Sequence, residues 1–353
     1  MRYRRLGESG LEVSAISLGS WLTFGHKTEE DLAITCVRRA FELGVNLFDT
    51  ANVYAGGRAE EILGKALSPL PRDRFVLATK AYFPVGPGPN DKGLSRKHIF
   101  EQVHKSLRRL GTDYLDIFQC HRYDDETPLE ETLQAIDDLI TQGVVLYAGV
   151  SVWSAEQIAA AADLGHRLGL RRLVSNQPQY HILRRDIETD GVLQTCRREG
   201  LGLIVYSPLA RGLLTGKYDS VDDVPADSRA ADERGRRFMG PWFSEEGLSK
   251  VGQLKQAAED AGLTMPAMAL AWCLRRPEVS SAIIGATKVE HVEQNVAAAE
   301  LELGDDVISA IDEIAPACVG RLSAVGRSAV GGGRWVACRI IEATLGPGPD
   351  YTG

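Results

Sequence analysis

Residues 44–67, GVNLFDTANVYAGGRAEEILGKAL, change pattern midway. Val45, Leu47 and Phe48 form a short apolar run of strand length. Asp49 closes that run, Tyr54 follows on a loop, and Gly56-Gly57 lead into an amphipathic helical segment. The same unit recurs along the chain. AISLG precedes TEEDLAITCVRRAFELG, RFVLATK precedes SRKHIFEQVHKSLRRLG, and YLDIFQC precedes PLEETLQAIDDLITQG. VLYAGVS, RRLVSNQ and LGLIVYSPL come next, and VSSAIIGAT with VEHVEQNVAAAE closes a series of eight strand–helix units. Ser95 is placed as a helix N-cap, Pro128 stands near a first turn and Gly143 follows a last one. Strict alternation predicts a parallel sheet with helical crossovers. Eight units in roughly 300 residues suit a closed (β/α)8 TIM barrel, an α/β fold. A doubly wound sheet is the alternative. It would normally carry GxGxxG after its first strand, where this chain has SLGSWLTFG.

The bulk properties agree with a chain able to bury one large core. The protein has 353 residues, of which 44% are apolar and 25% charged, so its composition is that of a globular protein. A net charge of -8 argues against general affinity for nucleic acid or anionic membrane. The basic start lacks an apolar signal core, and no apolar run reaches transmembrane length, so a cytoplasmic location with no membrane insertion is expected. The cysteines at 36, 120, 196, 273, 318 and 338 show no metal-type spacing, and most read as reduced, buried small hydrophobes.

The first residues, YRRLGESGLEVSAISLG, read as a hairpin capping the barrel bottom. Asp219 to Phe243 reads as a long loop on the active-site side. The barrel domain is expected over residues 1–316. Residues 317–353 are rich in glycine and arginine and read as a flexible tail.

Barrel enzymes carry their chemistry at the carboxyl ends of strands. Those ends here are Asp49, Lys80, Gln119-Cys120-His121, Ser151, Ser175-Asn176-Gln177 and Tyr206-Ser207. Lys80 is the informative one. FVLATK would bury an ammonium unless a carboxylate pairs with it, and Asp49 lies one strand over. A metal-dependent barrel would need clustered His and carboxylate ligands. Only Asp49 and His121 stand out, with Lys80 between them to repel a cation, so no metal site is expected.

The chain resembles the aldo-keto reductases, above all the branch holding the β-subunits of voltage-gated potassium channels and related bacterial reductases. The resemblance rests on NLFDTANVYAGGRAEEILGKAL, VLATK, LDIFQCHRYD, GVSVWS, NQPQYH, YSPLARGLLTGKY and GATKVEHVEQN, in order over nearly all of residues 1–316. It implies NADP(H)-dependent reduction of a small carbonyl substrate, and a catalytic tetrad at Asp49, Tyr54, Lys80 and His121. The residue types suit that chemistry. Tyrosine, with a pKa of about 10, is a weak acid, and a nearby ammonium favours tyrosinate. Asp49 would hold Lys80, and His121 would orient the substrate oxygen. Channel β-subunits carry asparagine at the position of His121, which favours a working reductase. The alternative is an NADP-binding redox-sensing accessory protein with slow turnover.

The resemblance also implies the cofactor contacts. Ser151, Asn176 and Gln177 would hold the nicotinamide carboxamide, and Tyr206 would stack on its ring. The loop of Ser207, Pro208, Leu209, Arg211 and Gly212 would wrap the pyrophosphate, with Lys217 adding a cation. Gly19, Ser20, Trp21 and Asp49 would also border the cofactor. Gly285, Thr287, Lys288 and His291 would meet the adenosine 2′-phosphate at a helix start, with Gln294 and Asn295 near adenine. Lys288 favours NADP over NAD, whereas His291 replaces an arginine common in other branches. Val152 stands where channel β-subunits have arginine. Trp21, Tyr54, Tyr82, His121, Trp153 and Trp242 are candidates for the substrate wall, the tryptophans and Tyr82 being equally suited to ordinary packing. Relatives form tetramers or octamers, which extends the resemblance to homo-oligomers.

Overall fold

Both edges of the expected sheet meet each other. The computed structural model describes residues 1–25, 28–226, 228–231 and 233–317. Strands β1 (Tyr3–Arg5) and β2 (Glu12–Ser14) form an antiparallel hairpin. Eight parallel strands follow: β3 (Ile16–Gly19), β4 (Leu47–Asp49), β5 (Val76–Ala81), β6 (Leu115–Cys120), β7 (Val145–Ser151), β8 (Leu173–Gln177), β9 (Gly202–Tyr206) and β10 (Val279–Ile284). They run in sequence around the ring, and β10 pairs with both β9 and β3. Closure rules out the open doubly wound alternative.

Helices α1 (Glu30–Glu42), α2 (Arg58–Leu67), α3 (Arg96–Leu110), α4 (Leu129–Thr141), α5 (Ala155–Leu168) and α6 (Val192–Glu199) follow the first six barrel strands in turn. Between β9 and β10 lie α7 (Glu233–Arg237), α8 (Glu245–Asp260) and α9 (Met265–Leu274). Helices α10 (Val289–Ala297) and α11 (Asp305–Ile314) end the described chain. Ser95 caps α3 by accepting from the His98 amide, a contribution of about 1 kcal/mol. The expected loop at 219–243 differs in containing a short 3-10 turn at Arg229–Ala231 and the helix α7. Helix α11 lies beyond the eight-unit pattern. Val307, Ile311 and Ile314 recur at helical spacing, and Ile311 is fully buried. Of the tail expected at 317–353, all but its first residue lies outside the described residues.

Two apolar layers hold the barrel. Leu47, Val76, Ala78, Ile117, Ile204 and Ile283 fill its interior, and the hairpin adds Leu6 and Val13 to that cluster. Each such side chain contributes about 1.5–3 kcal/mol by leaving water. The hairpin is also tied to the base of β10, because the Arg4 guanidinium donates to the carbonyls of Val279 (2.6 Å) and Leu274 (2.7 Å). The outer faces of the strands pack against the helices in a second cluster. Cys36, Cys120, Cys196 and Cys273 are free thiols buried in that packing. Among the described residues, no helix is long and apolar enough to cross a membrane.

The register sets the level of the polar strand ends. Gly19 pairs with Asp49, Lys80 with Gln119, and Ser151 with Gln177. The carboxyl face of the barrel is thereby ringed with polar groups above an apolar plug.

Candidate functional site

Lys80 is fully buried inside β5, and its ammonium has to be satisfied there. Its Nζ donates to Asp49 Oδ1 at 2.5 Å and to the Thr50 carbonyl at 2.8 Å. The other carboxylate oxygen, Asp49 Oδ2, accepts from Gln177 Nε2 at 2.9 Å and from Gln119 Nε2 at 3.3 Å. Burial pushes the lysine below its ordinary pKa, and the Asp49 carboxylate opposes that shift.

Tyr54 lies above this pair. It stands in a tight turn in which Ala55 (φ 49°) and Gly56 (φ 62°) are left-handed. Lys80 Nζ is 5.2 Å from the centre of its ring. Tyr54 Oη is 3.5 Å from His121 Nε2, and the two rings meet edge to face at 5.6 Å. Burial, with Lys80 and Arg122 adding to it, holds His121 well below the ordinary histidine range. It is therefore neutral at pH 7. A neutral imidazole offers one N–H donor and one acceptor.

His121 shares this state with His181, which is fully buried beside Arg184 and Arg211 and is likewise held well below its ordinary value, chiefly by burial. The sign of the stability effect follows. The unfolded chain takes up these protons near pH 6.5, whereas the folded chain refuses them. Stability should fall as pH drops below about 6.5, by up to about 1.4 kcal/mol per pH unit for each histidine. Melting temperatures between pH 7.5 and 5.5 test this. His181→Gln should flatten the slope, and an unchanged slope would rule out His181 as a contributor.

A cavity of about 440 Å³ opens over Asp49, Tyr54 and His121. Asp49, Tyr54, His121, Ser151, Gln177 and Tyr206 line it from the strand ends. Gly19 and Trp21 line it after β3, and Ser207, Pro208, Leu209, Arg211, Gly212 and Lys217 after β9. Gly285, Thr287, His291, Gln294 and Asn295 line it around the start of α10. Gly19 is there for space, since a Cβ would stand 2.5 Å from Ile283 Cγ2.

Other sequence candidates lie off the cavity. Lys80 sits beneath it, behind Asp49. Ser20 is buried and donates to Thr50 Oγ1 at 2.9 Å. Asn176 alternates with Gln177 along β8, so it faces outward, with Nδ2 3.9 Å from Cys196 Sγ. Lys288 is the N-cap residue of α10 and is not part of the lining. Tyr82 packs edge-on against Phe83, Trp153 against Tyr123, and Trp242 against His181. Burial pushes the Cys120 thiol up to about 12, which leaves it unreactive.

The cavity also gathers residues that the sequence did not single out. Arg229, from the long insertion after β9, is half-buried on its wall. Burial and the neighbouring Arg211 push its guanidinium down to about 10. Arg211 and Arg229 flank the Trp21 ring at 5.6 and 6.0 Å. No carboxylate among the described residues pairs with Arg229. Arg122, directly after His121, lines the opposite side. Among the described residues, no group of three or more His, Cys, Asp or Glu side chains converges as metal ligands do.

The loops that shape this face are strained. All six non-glycine residues with positive φ among the described residues lie in them: Leu22, Ala55, Val152, Ser207, Ala210 and Arg211. Such residues concentrate at functional sites. Val152 (φ 57°) is the costliest, being β-branched. Val152→Gly should stabilise the protein by about 1 kcal/mol, raising Tm by roughly 2 °C. A lower Tm would mean that the valine contributes packing that outweighs its strain.

A model of the aldo/keto reductase family matches residues 15–316. The chain is 43% identical over 304 residues to a probable voltage-gated potassium channel subunit beta of Arabidopsis thaliana, covering 85% of this chain and 92% of that one. It is 41% identical over 321 residues to a putative subunit of the same kind from Schizosaccharomyces pombe (88% and 92% covered). It is 38% identical over 321 residues to the L-glyceraldehyde 3-phosphate reductase of Escherichia coli O157:H7 (89% and 92% covered).

Proposed function

The chain belongs to the aldo/keto reductase family, and from that premise we propose that it reduces an aldehyde or ketone to the alcohol with NADPH. The observation that carries the reading is the buried Lys80–Asp49 pair set under Tyr54, with His121 beside it, at the floor of the cavity.

The residues present fit a dinucleotide phosphate. The cavity wall after β9 holds Arg211, Lys217 and Arg229. A half-buried guanidinium with no carboxylate partner among the described residues is stabilised by a bound anion. Gln177 spends its Nε2 on Asp49, which leaves Oε1 to accept from a carboxamide. Tyr206 would stack on the nicotinamide, Ser207 to Gly212 with Arg229 would hold the pyrophosphate, and Thr287, His291, Gln294 and Asn295 the adenosine end. When bound, the nicotinamide supplies a hydride to the carbonyl carbon.

The chain's own groups supply the rest. Tyr54 Oη gives its proton to the carbonyl oxygen, completing the alcohol, and regains one from solvent. The Lys80 ammonium stabilises the tyrosinate left behind. Asp49 keeps that ammonium charged and fixed. His121, neutral, donates a hydrogen bond to the same oxygen as negative charge develops on it.

The likeness to channel subunits favours a second reading, an accessory protein that binds NADP and turns over slowly. Turnover separates the two. NADPH oxidation followed at 340 nm with a panel of reactive aldehydes, beside a fluorescence titration of NADPH, should show both binding and steady oxidation. Binding without oxidation would leave the accessory reading and sink the reductase.

A further inference from the structure

Arg122 is a cation at the reacting centre that the tetrad does not use. It is half-buried on the cavity wall. Its Nη1 donates to the His121 carbonyl at 2.6 Å, which clamps the side chain beside that residue. Its guanidinium lies 5.3 Å from the Phe83 ring, and Phe83 in turn packs edge-on against the His121 imidazole at 4.8 Å. No carboxylate among the described residues forms an ion pair with it. It stands close enough to Lys80 and His121 to disfavour a positive charge on both. An arginine kept there carries a cost unless an anion meets it, because it adds a like charge next to the buried ammonium.

The position in the ring says which anion it serves. The cationic wall assigned to the cofactor follows β9, and the adenosine end follows β10. Strand β6, which delivers Arg122, is four places from β10 in either direction around the eight-stranded ring. Arg122 is therefore diametrically opposite the start of α10, on the arc of the ring, β4 to β6, that also carries Asp49, Tyr54, Lys80 and His121. A dinucleotide anchored at β9 and β10 has its phosphates on the far side. What remains within reach of Arg122 is the molecule whose carbonyl meets Tyr54 and His121.

We propose that Arg122 determines substrate specificity by binding an anionic group, carboxylate or phosphate, carried by the carbonyl compound a short distance from its reacting carbon. The preferred substrates are then short anionic aldehydes or ketones rather than neutral ones. The inference rests on the reductase reading above and adds the substrate class.

Two matched pairs test it with NADPH and the full-length protein: succinic semialdehyde against butanal, and glyceraldehyde 3-phosphate against glyceraldehyde. The charged member of at least one pair should be favoured in kcat/KM by about 10- to 100-fold, the range of a charge-assisted hydrogen bond. The favoured pair identifies carboxylate or phosphate as the anion read. Arg122→Met should abolish that preference by raising KM for the charged member more than it lowers kcat, and Arg122→Lys should restore part of it. Equal rates within both pairs, or a preference that survives Arg122→Met, would overturn the proposal while leaving the reductase standing. A fall in kcat on all four compounds with KM unchanged would also overturn it, by showing that Arg122 only supports the His121 loop. No oxidation of NADPH with any of the four, while NADPH still binds, would take down the reductase reading and this one together.

Discussion

Replacing Tyr54 by phenylalanine is expected to lower kcat by about two to four orders of magnitude, the usual contribution of a positioned general acid. The change removes one oxygen. The ring stays wedged over Lys80 and against His121, so the fold and cavity should persist. The cofactor dissociation constant should hardly move, because the proposed phosphate and adenosine contacts lie after β9 and β10. The measurement is steady-state NADPH oxidation beside a fluorescence titration of NADPH. A variant that keeps more than about a tenth of wild-type kcat would remove Tyr54 from the role of proton donor. Loss of cofactor binding instead would mean that the phenol acts in the binding site.

Asp49→Ala should damage both stability and turnover. Lys80 is fully buried, and its Nζ would keep only the Thr50 carbonyl. Breaking a buried ion pair from one side costs about 3–5 kcal/mol. A fall in Tm on the order of 10 °C follows. The pH dependence has a definite sign. Without Asp49, burial lowers the lysine pKa further, so the unfolded chain binds a proton that the folded chain refuses. The destabilisation should therefore shrink as pH rises toward the unfolded lysine pKa of about 10.4. Asp49→Ala combined with Lys80→Met should recover much of the lost stability, since no unpaired charge is left, while activity stays absent. A double variant no more stable than Asp49→Ala would show that the loss comes from the barrel wall and not from the orphaned ammonium.

The pairing of Asp49 with Lys80 was legible because physics leaves little choice. An ammonium ending an apolar strand needs a counter-charge, and one lay on the adjacent strand. The barrel was legible for a related reason: each apolar run is short, and each is followed by a helix. What was obscured lies where tertiary position matters more than pattern. Asn176 and Gln177 are chemically alike, but strand alternation sends one toward Cys196 and the other toward Asp49. Tyr82 is the larger polar aromatic, yet its neighbour Phe83 meets His121. Arg229 belongs to an insertion with no periodicity, and only the fold of that insertion brings it to Trp21. Arg122 was in plain view after His121, and that no carboxylate among the described residues pairs with it appears only in three dimensions.

The seam between β10 and β3 has a consequence for biosynthesis. Ala282, Ile283 and Ile284 pair with Ile16, Ser17 and Leu18, and Ser281 donates to the Ser14 carbonyl at 2.7 Å. The ring is thus completed by partners at opposite ends of the barrel sequence. On the ribosome, the earlier strands emerge with β3 presenting an unsatisfied edge. It stays unsatisfied until nearly the whole barrel has been translated. Contacts of such long range form slowly and expose aggregation-prone edges meanwhile. Nascent chains halted before Val279 should need a chaperone to remain dispersed.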